Sequence, residues 1–294
     1  GIALADALPK CRDAALARRR AAALLAHDSW RVRAAAVAAV VALRDPTLLE
    51  DLVGRLEDPE GRIRLDAWTA LRTLLRRDLP PDPEQWRALL PLAALPAGGA
   101  PPDPPRTSAT YFGLPVASGR IAFVFDVSGS MRDDGKMEQA RAAFAATAAA
   151  LDPAARIDLF AHRYLLEWPP RPRLERCFGR LIPARGRAAA KWLDKLEAKG
   201  GGALFDALKA AIEDDDVDTI YLLSDGVPSY GTVARDFRVL QETARLNRWR
   251  RVAIHTVLLG EKGTDRGDPG GRGLDEFAAA HGGVAVDGSG APLR

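Results

Sequence analysis

The sequence predicts an α/β protein: a doubly wound, mostly parallel sheet, preceded by an all-α segment. Three observations carry this expectation. Residues 1–79 are dominated by Ala, Leu and Arg, with few β-branched residues, which is the composition of helices. Beyond Gly119, short continuous apolar runs such as Ile121–Phe125 (IAFVF) and Thr219–Leu223 (TIYLL) mark strands buried on both faces of a sheet. Stretches with helical spacing separate those runs, and strands alternating with helices imply parallel strands covered on both sides.

Composition narrows the field. The 294 residues suffice for about two domains, and 47% hydrophobic with 28% charged residues is a globular balance. No apolar run approaches the roughly 20 residues needed to span a bilayer, so no membrane span is expected in this stretch. The net charge of +3 arises in residues 1–80, which hold 14 Lys+Arg against 11 Asp+Glu; the remainder holds 28 of each. With no global basic field, a nucleic-acid partner is not expected. Only Cys11 and Cys177 are present, which excludes a disulfide scaffold and an all-cysteine zinc site; both are read as free thiols. The first residue is Gly1 and not Met, so a targeting signal upstream would not be visible and the compartment stays open.

Within residues 1–79, a shift of 31 residues matches the chain to itself. Leu25 falls on Leu56, Arg31 on Arg62, Val32 on Ile63, Arg33 on Arg64, Ala36 on Ala67, Ala39 on Ala70, Val40 on Leu71 and Leu43 on Leu74. The apolar members share one helix face. Asp28 and Ser29 stand where an N-cap belongs before the first helix, and Asp58-Pro59 before the second. A helix with Val-Arg at its start and an Ala-rich stripe resembles HEAT-type repeats, here about two of them; an ordinary helical bundle is the alternative. The resemblance implies a protein-binding surface and repeats continuing upstream of Gly1, because so short a stack has little core. Residues 80–117, punctuated by nine prolines from Pro80 to Pro105, read as a linker with a short helix around Glu84–Leu90.

Residues 118–294 read as the α/β domain. After strand Ile121–Phe125 comes a helix at Lys136–Leu151, a strand at Arg156–Ala161 and a short strand at Tyr164–Trp168 stopped by Pro169-Pro170. Helices follow at Gly186–Ala198 and Leu204–Glu213, then strand Thr219–Leu223, helix Thr232–Leu246, strand Val252–Leu259, helix Leu274–His281 and strand Val284–Val286. Ligands of such sheets bind beyond the carboxyl ends of the strands, at the topological switch point.

The most informative stretch follows the first buried strand: Asp126-Val127-Ser128-Gly129-Ser130-Met131. Asp126, Ser128 and Ser130 alternate, so their oxygens can converge from one tight loop. A carboxylate with two hydroxyls is a hard-oxygen set suited to Mg²⁺, Mn²⁺ or Ca²⁺. A second carboxylate, Asp225, ends another buried strand, and adjacent strand ends would bring it opposite Asp126. With no metal present the two carboxylates are expected to repel.

These residues resemble the von Willebrand factor type A domain and its metal-ion-dependent adhesion site, over about residues 119–290. The resemblance rests on Asp126, Ser128 and Ser130 in Asp-x-Ser-x-Ser, and on Asp225 in Ser-Asp-Gly-Val-Pro. It implies a Rossmann-like fold and a metal, foremost Mg²⁺, held directly by the two serines and through waters by the carboxylates. It also implies a protein partner whose acidic residue completes the coordination. One part departs from the pattern. The family's Gly-Gly-Thr-Asn loop before an Asp-Ala-Leu helix reads Gly200-Gly201-Gly202-Ala203 here, ahead of Asp206-Ala207-Leu208, so Gly202 stands at the threonine position and a hydroxyl ligand is missing.

Other chemistry has less support. Position 128 is Ser where a haloacid-dehalogenase-type phosphatase loop needs a second Asp. Ser130 lies in no Gly-x-Ser-x-Gly elbow, and no Gly-x-x-x-x-Gly-Lys phosphate loop exists. His162, His255 and His281 are isolated in sequence, Asp133-Asp134 reads as a solvated loop, and Arg18–Arg20 as a solvated helix face. The sequence therefore reads as a non-catalytic, divalent-metal-dependent protein–protein interaction module with a second, helical-repeat binding surface. The alternatives are an adaptor or chelatase-type subunit beside an AAA-type ATPase, and a metal-assisted hydrolase, which would lack a general base near the motif.

Overall fold

The computed structural model describes residues 1–92, 95–96, 107–165, 171–177, 182–183, 186–226, 230–233, 236–260 and 270–293. The chain divides into two units, Gly1–Pro105 and Arg106–Arg294. The linker stretch 97–106, Trp168 with Pro169-Pro170, and Val227-Pro228 of the second acidic motif lie outside the described residues.

The first unit is helical: α1 (Ile2–Ala7), α2 (Ala14–Leu25), α3 (Trp30–Leu43), α4 (Leu49–Gly54), α5 (Gly61–Leu75) and α6 (Pro83–Leu89). Asp13 caps α2 by accepting from Leu16 N, and Asp82 caps α6 by accepting from Glu84 N, each relieving orphan donors of a first turn. The 31-residue match reappears as a repeated contact. Arg33 Nη1 donates to the carbonyls of His27 and Asp28, both at 2.8 Å. Arg64 Nη1 donates to the carbonyls of Asp58 and Pro59, at 2.6 and 3.1 Å. Each arginine thus ties its helix to the turn before it. Asp58 is not the cap of α5, whose N-cap is Glu60. It is buried instead and ion-paired with Arg33, Nε to Oδ2 at 2.8 Å, joining α3 to the turn before α5. Ala36, Val40, Leu52, Ile63, Ala67 and Leu71 form the core beneath.

The second unit opens with a hairpin, β1 (Thr110–Tyr111) and β2 (Leu114–Pro115), turning through Phe112 and Gly113 at positive φ. These residues fall inside the stretch read as linker. They pack as core because Tyr111 is buried edge-on against Phe123 and Tyr221. Then follow β3 (Arg120–Asp126), α7 (Lys136–Ala150), β4 (Arg156–Leu165), β5 (Arg171–Arg176), β6 (Ile182–Pro183), α8 (Gly186–Asp194) and α9 (Leu204–Glu213). The unit finishes with β7 (Thr219–Ser224), α10 (Asp236–Asn247), β8 (Ala253–Leu258), α11 (Gly270–Ala280) and β9 (Ala285–Asp287). The sheet order is β5-β4-β3-β7-β8-β9, with β6 also pairing β4. From β4 to β9 every neighbouring pair is parallel; β5 and β6 run antiparallel to β4. The expected doubly wound, mostly parallel α/β sheet is present.

The central strands are apolar throughout because they feed two cores. Ile121, Phe123, Phe125, Tyr221 and Leu223 face α7 and α8, where Met137, Ala140, Phe144 and Leu193 meet them. Ala122, Val124, Ile220, Leu222 and Ile254 face α9, α10 and α11 through Leu208, Ile212, Val239 and Phe277. This is the period-two alternation of a strand with both faces buried. The two stretches read as separate strands, Arg156–Ala161 and Tyr164 onward, are one ten-residue strand, β4. The chain reverses direction at β3: β4 lies on one side and β7 on the other, with Val124 opposite both Phe160 and Leu222. The carboxyl ends of β3 and β7 are therefore the switch point of the sheet.

Candidate functional site

Asp126 is the last residue of β3 and Asp225 the first beyond β7, so register alone sets them side by side. The chain leaves β3 through Ser128, which begins a short 3₁₀ segment at Gly129. Asp126 Oδ1 accepts from Ser128 N at 2.8 Å, an Asx-type turn that folds the loop back over the strand end. Asp126 Oδ2 accepts from Ser224 Oγ at 2.9 Å. Ser128 Oγ lies 3.1 Å from Ser130 Oγ, and Ser130 Oγ donates to Asp225 Oδ1 at 3.1 Å. The four residues singled out by sequence, Asp126, Ser128, Ser130 and Asp225, thus stand together. Asp126 and Ser128 are buried, while Ser130 is open to solvent.

The donor set is made of hard oxygens, the ligand chemistry that suits a small divalent cation. Mg²⁺ holds oxygens at about 2.0–2.1 Å in octahedral array, which places neighbouring ligands about 3 Å apart. Ser128 Oγ, Ser130 Oγ and Asp225 Oδ1 follow one another at that interval. Two carboxylates and two hydroxyls are too few acidic groups for a carboxylate cage; among the described residues no cluster of three or more His, Cys, Asp or Glu is placed to hold a metal.

Three participants escaped the sequence reading. Lys136, at the start of α7, donates from Nζ to Asp225 Oδ2 at 3.0 Å and to the Ser130 carbonyl at 3.3 Å. Its ammonium offsets the repulsion expected between the two carboxylates. Ser224, beside Asp225 in sequence, fixes the carboxylate of Asp126. His162, opposite Asp126 on β4, is buried, and its Nδ1 accepts from Ala203 N at 3.2 Å. That bond places the ring proton on Nε2. Burial holds the imidazole below its ordinary pKa, against the opposing pull of Asp126 and Asp206.

The Gly-rich loop is tied to this floor. Gly129 N donates to Gly200 O at 2.8 Å and Lys199 N to Val127 O at 2.9 Å. A side chain at Gly129 would crowd Gly200 O at 3.3 Å, so the absence of one eases the close approach of the two loops. Tyr164 and Gly201 exchange backbone hydrogen bonds, and Tyr230 N donates to Gly202 O at 2.9 Å. The Tyr230 ring stacks on Tyr164, with centroids 5.0 Å apart, and fills the space over Gly201 that a Cβ would need. No hydroxyl comes from positions 200–203, in keeping with the sequence; Asp206 is engaged by Thr232 through its backbone N–H at 3.0 Å and its hydroxyl.

The remaining candidates have structural partners. His255 stacks on Tyr221, His281 contacts Phe277 and Asn247, and Arg18 pairs with Asp45. Cys11 and Cys177 are free thiols. Among the described residues no helix is long and apolar enough to cross a membrane.

No protein-family model matches the sequence, and no curated protein does. Solved structures do. The chain is similar to a von Willebrand factor type A protein from Catenulispora acidiphila, at 24% identity and a TM-score of 0.45 over 58% of this chain. It is also similar to the human COPII-coat protein Sec24c, at 12% identity and a TM-score of 0.42 over 57% of this chain. The match spans 39% of the first of these proteins and 29% of the second.

Proposed function

We propose that the α/β unit is a non-catalytic protein–protein interaction module whose binding depends on a divalent cation, foremost Mg²⁺. One observation carries this reading: the oxygens of Ser128, Ser130 and Asp225 are gathered by 3.1 Å hydrogen bonds at the switch point of a parallel sheet. Ser128 and Ser130 would hold the cation directly, and Asp126 and Asp225 would supply the balancing charge. When bound, the cation supplies a Lewis-acidic position for a partner's carboxylate.

The chain's own residues do the positioning. Asp126, clamped by Ser128 N and Ser224 Oγ, fixes the loop that presents the two hydroxyls. His162 anchors the Gly-rich loop behind them. The absence of catalysis is supported by the state of that imidazole: it is buried, with its basic nitrogen already engaged by Ala203 N, and so is unsuited to act as a general base. The helical unit, with its repeated arginine contacts, is proposed as a HEAT-like second binding surface.

The test compares the full chain with Ser128→Ala/Ser130→Ala by metal-induced melting shift and by pull-down with and without chelator. The expected result is a shift with Mg²⁺ or Mn²⁺ and a chelator-sensitive partner for the parent, both lost in the double variant. An unchanged melting temperature in both proteins at millimolar cation overturns the proposal.

A further inference from the structure

Lys136 does more than neutralise a surface. Its ammonium reaches Asp225 Oδ2 at 3.0 Å and the Ser130 carbonyl at 3.3 Å, and both side chains of the pair are largely buried, 15% and 9% exposed. The position is built. Gly135, at φ 67, turns the chain so that Lys136 starts α7 beside the loop. Gly260, at φ 135, lies alongside, where an added Cβ would stand 3.8 Å from Lys136 Cε. The lysine therefore holds Oδ2 of the carboxylate whose charge the proposed cation would need, and donates to the backbone of Ser130, a residue that would ligate it.

We propose that Lys136 is a tethered counter-ion of the site, which keeps Asp225 paired when no cation is bound and competes with a divalent cation for that carboxylate. This rests on the metal-dependent reading above. Asp126 and Asp225 carry two negative charges and Lys136 one positive. A divalent cation on this trio leaves one positive charge in surplus, where the two carboxylates alone would be neutralised. A like charge about 6 Å from a divalent ion weakens its binding about tenfold even at the dielectric of water. The lysine is thus a residue that sets the cation affinity while allowing the site to fold without metal.

Calorimetric titration of Mg²⁺ into the full chain, Lys136→Gln and Lys136→Arg tests this. Lys136→Gln is expected to bind about tenfold more tightly than the parent and to melt lower without metal; Lys136→Arg, which keeps the charge, is expected to stay at the parent's affinity. Equal affinity in the parent and Lys136→Gln overturns the role of Lys136 and leaves the metal site standing. No Mg²⁺ binding in any of the three overturns the metal reading and this inference with it. Independently of any variant, amine labelling of the parent read by mass spectrometry is expected to modify Lys136 faster once Mg²⁺ saturates the site. An unchanged labelling rate in a chain that binds Mg²⁺ overturns the competition.

Discussion

Threonine at position 202 would bring a hydroxyl to a loop that has none. Gly200 adopts φ 78, but Gly202 is not among the described residues at positive φ, so no left-handed backbone opposes a side chain there. Gly202→Thr is therefore expected to bind Mg²⁺ about tenfold more tightly than the parent, the worth of one added contact to a charged centre, as read by calorimetry. Weaker binding with a lower melting temperature would mean that the Tyr230–Gly202 hydrogen bond cannot accept the branched side chain. At this scale the sequence was informative wherever several oxygen-bearing residues sit close together in the chain. Asp126, Ser128 and Ser130 announce one another, and Asp225 is visible from its place after an apolar run. Lys136 and His162 were not legible, because a single lysine at a helix start and a single histidine in a strand have no local pattern. Only the strand register and the turn at Gly135 bring them to the site.

Among the elements, those feeding two cores were the easiest to read. Thr219–Leu223 and Ile121–Phe125 are apolar at every position because both faces are covered. Strand β5 (Arg171–Arg176) was missed: four of its six residues are charged, a composition that only an edge strand tolerates, and β5 is the edge of the sheet. The β1–β2 hairpin was hidden by the prolines around it. In the helical unit the 31-residue match located α3 and α5 but gave Asp58 the wrong partner. An acidic residue before a helix reads as a cap, and the competing bond to Arg33 comes from 25 residues away. Because that pair is buried, Arg33→Met is expected to destabilise the helical unit by about 2 kcal/mol, leaving Asp58 only the longer Arg55 Nη1 contact at 3.3 Å and the Glu60 N–H. Arg33→Met/Asp58→Leu is expected to recover most of the loss. Urea denaturation of the full chain measures both; a single variant that unfolds at the parent's midpoint would show the pair to be dispensable.

For the whole molecule, the division at Pro105 and the burial of Tyr111 set where a working fragment must begin. Residues 107–294 are expected to fold alone. Residues 113–294 discard Tyr111 and its ring contacts with Phe123 and Tyr221, a loss comparable to truncating a core aromatic, and are expected to melt about 10 °C lower. Equal melting by circular dichroism would show that the hairpin is not part of the core. Acid should also weaken this unit. Burial depresses His281 to about 4, from an ordinary 6.5, and His162 shifts in the same direction. Between those values the unfolded chain binds the proton and the folded chain does not. Stability is therefore complete above about pH 6.5 and falls as pH drops, His281 alone costing about 3 kcal/mol by pH 4. His281→Gln, which keeps a group able to accept from Asn247, is expected to flatten the slope of melting temperature between pH 6.5 and 4. A slope unchanged from the parent would assign the acid sensitivity elsewhere.

The arginine contacts of the helical unit have a polarity. Arg33 fastens backward to two carbonyls and forward to Asp58, whereas Arg64 repeats the backward half; among the described residues it forms no ion pair. The position one repeat beyond Asp58 is Leu89, at the end of α6, which offers no carboxylate. Arg33 therefore links two helix starts 31 residues apart, whereas Arg64 ties its helix only to the turn before it. The asymmetry is addressable at one position: Arg64 would gain the forward half of the Arg33 contact only if an acid stood where Leu89 now does.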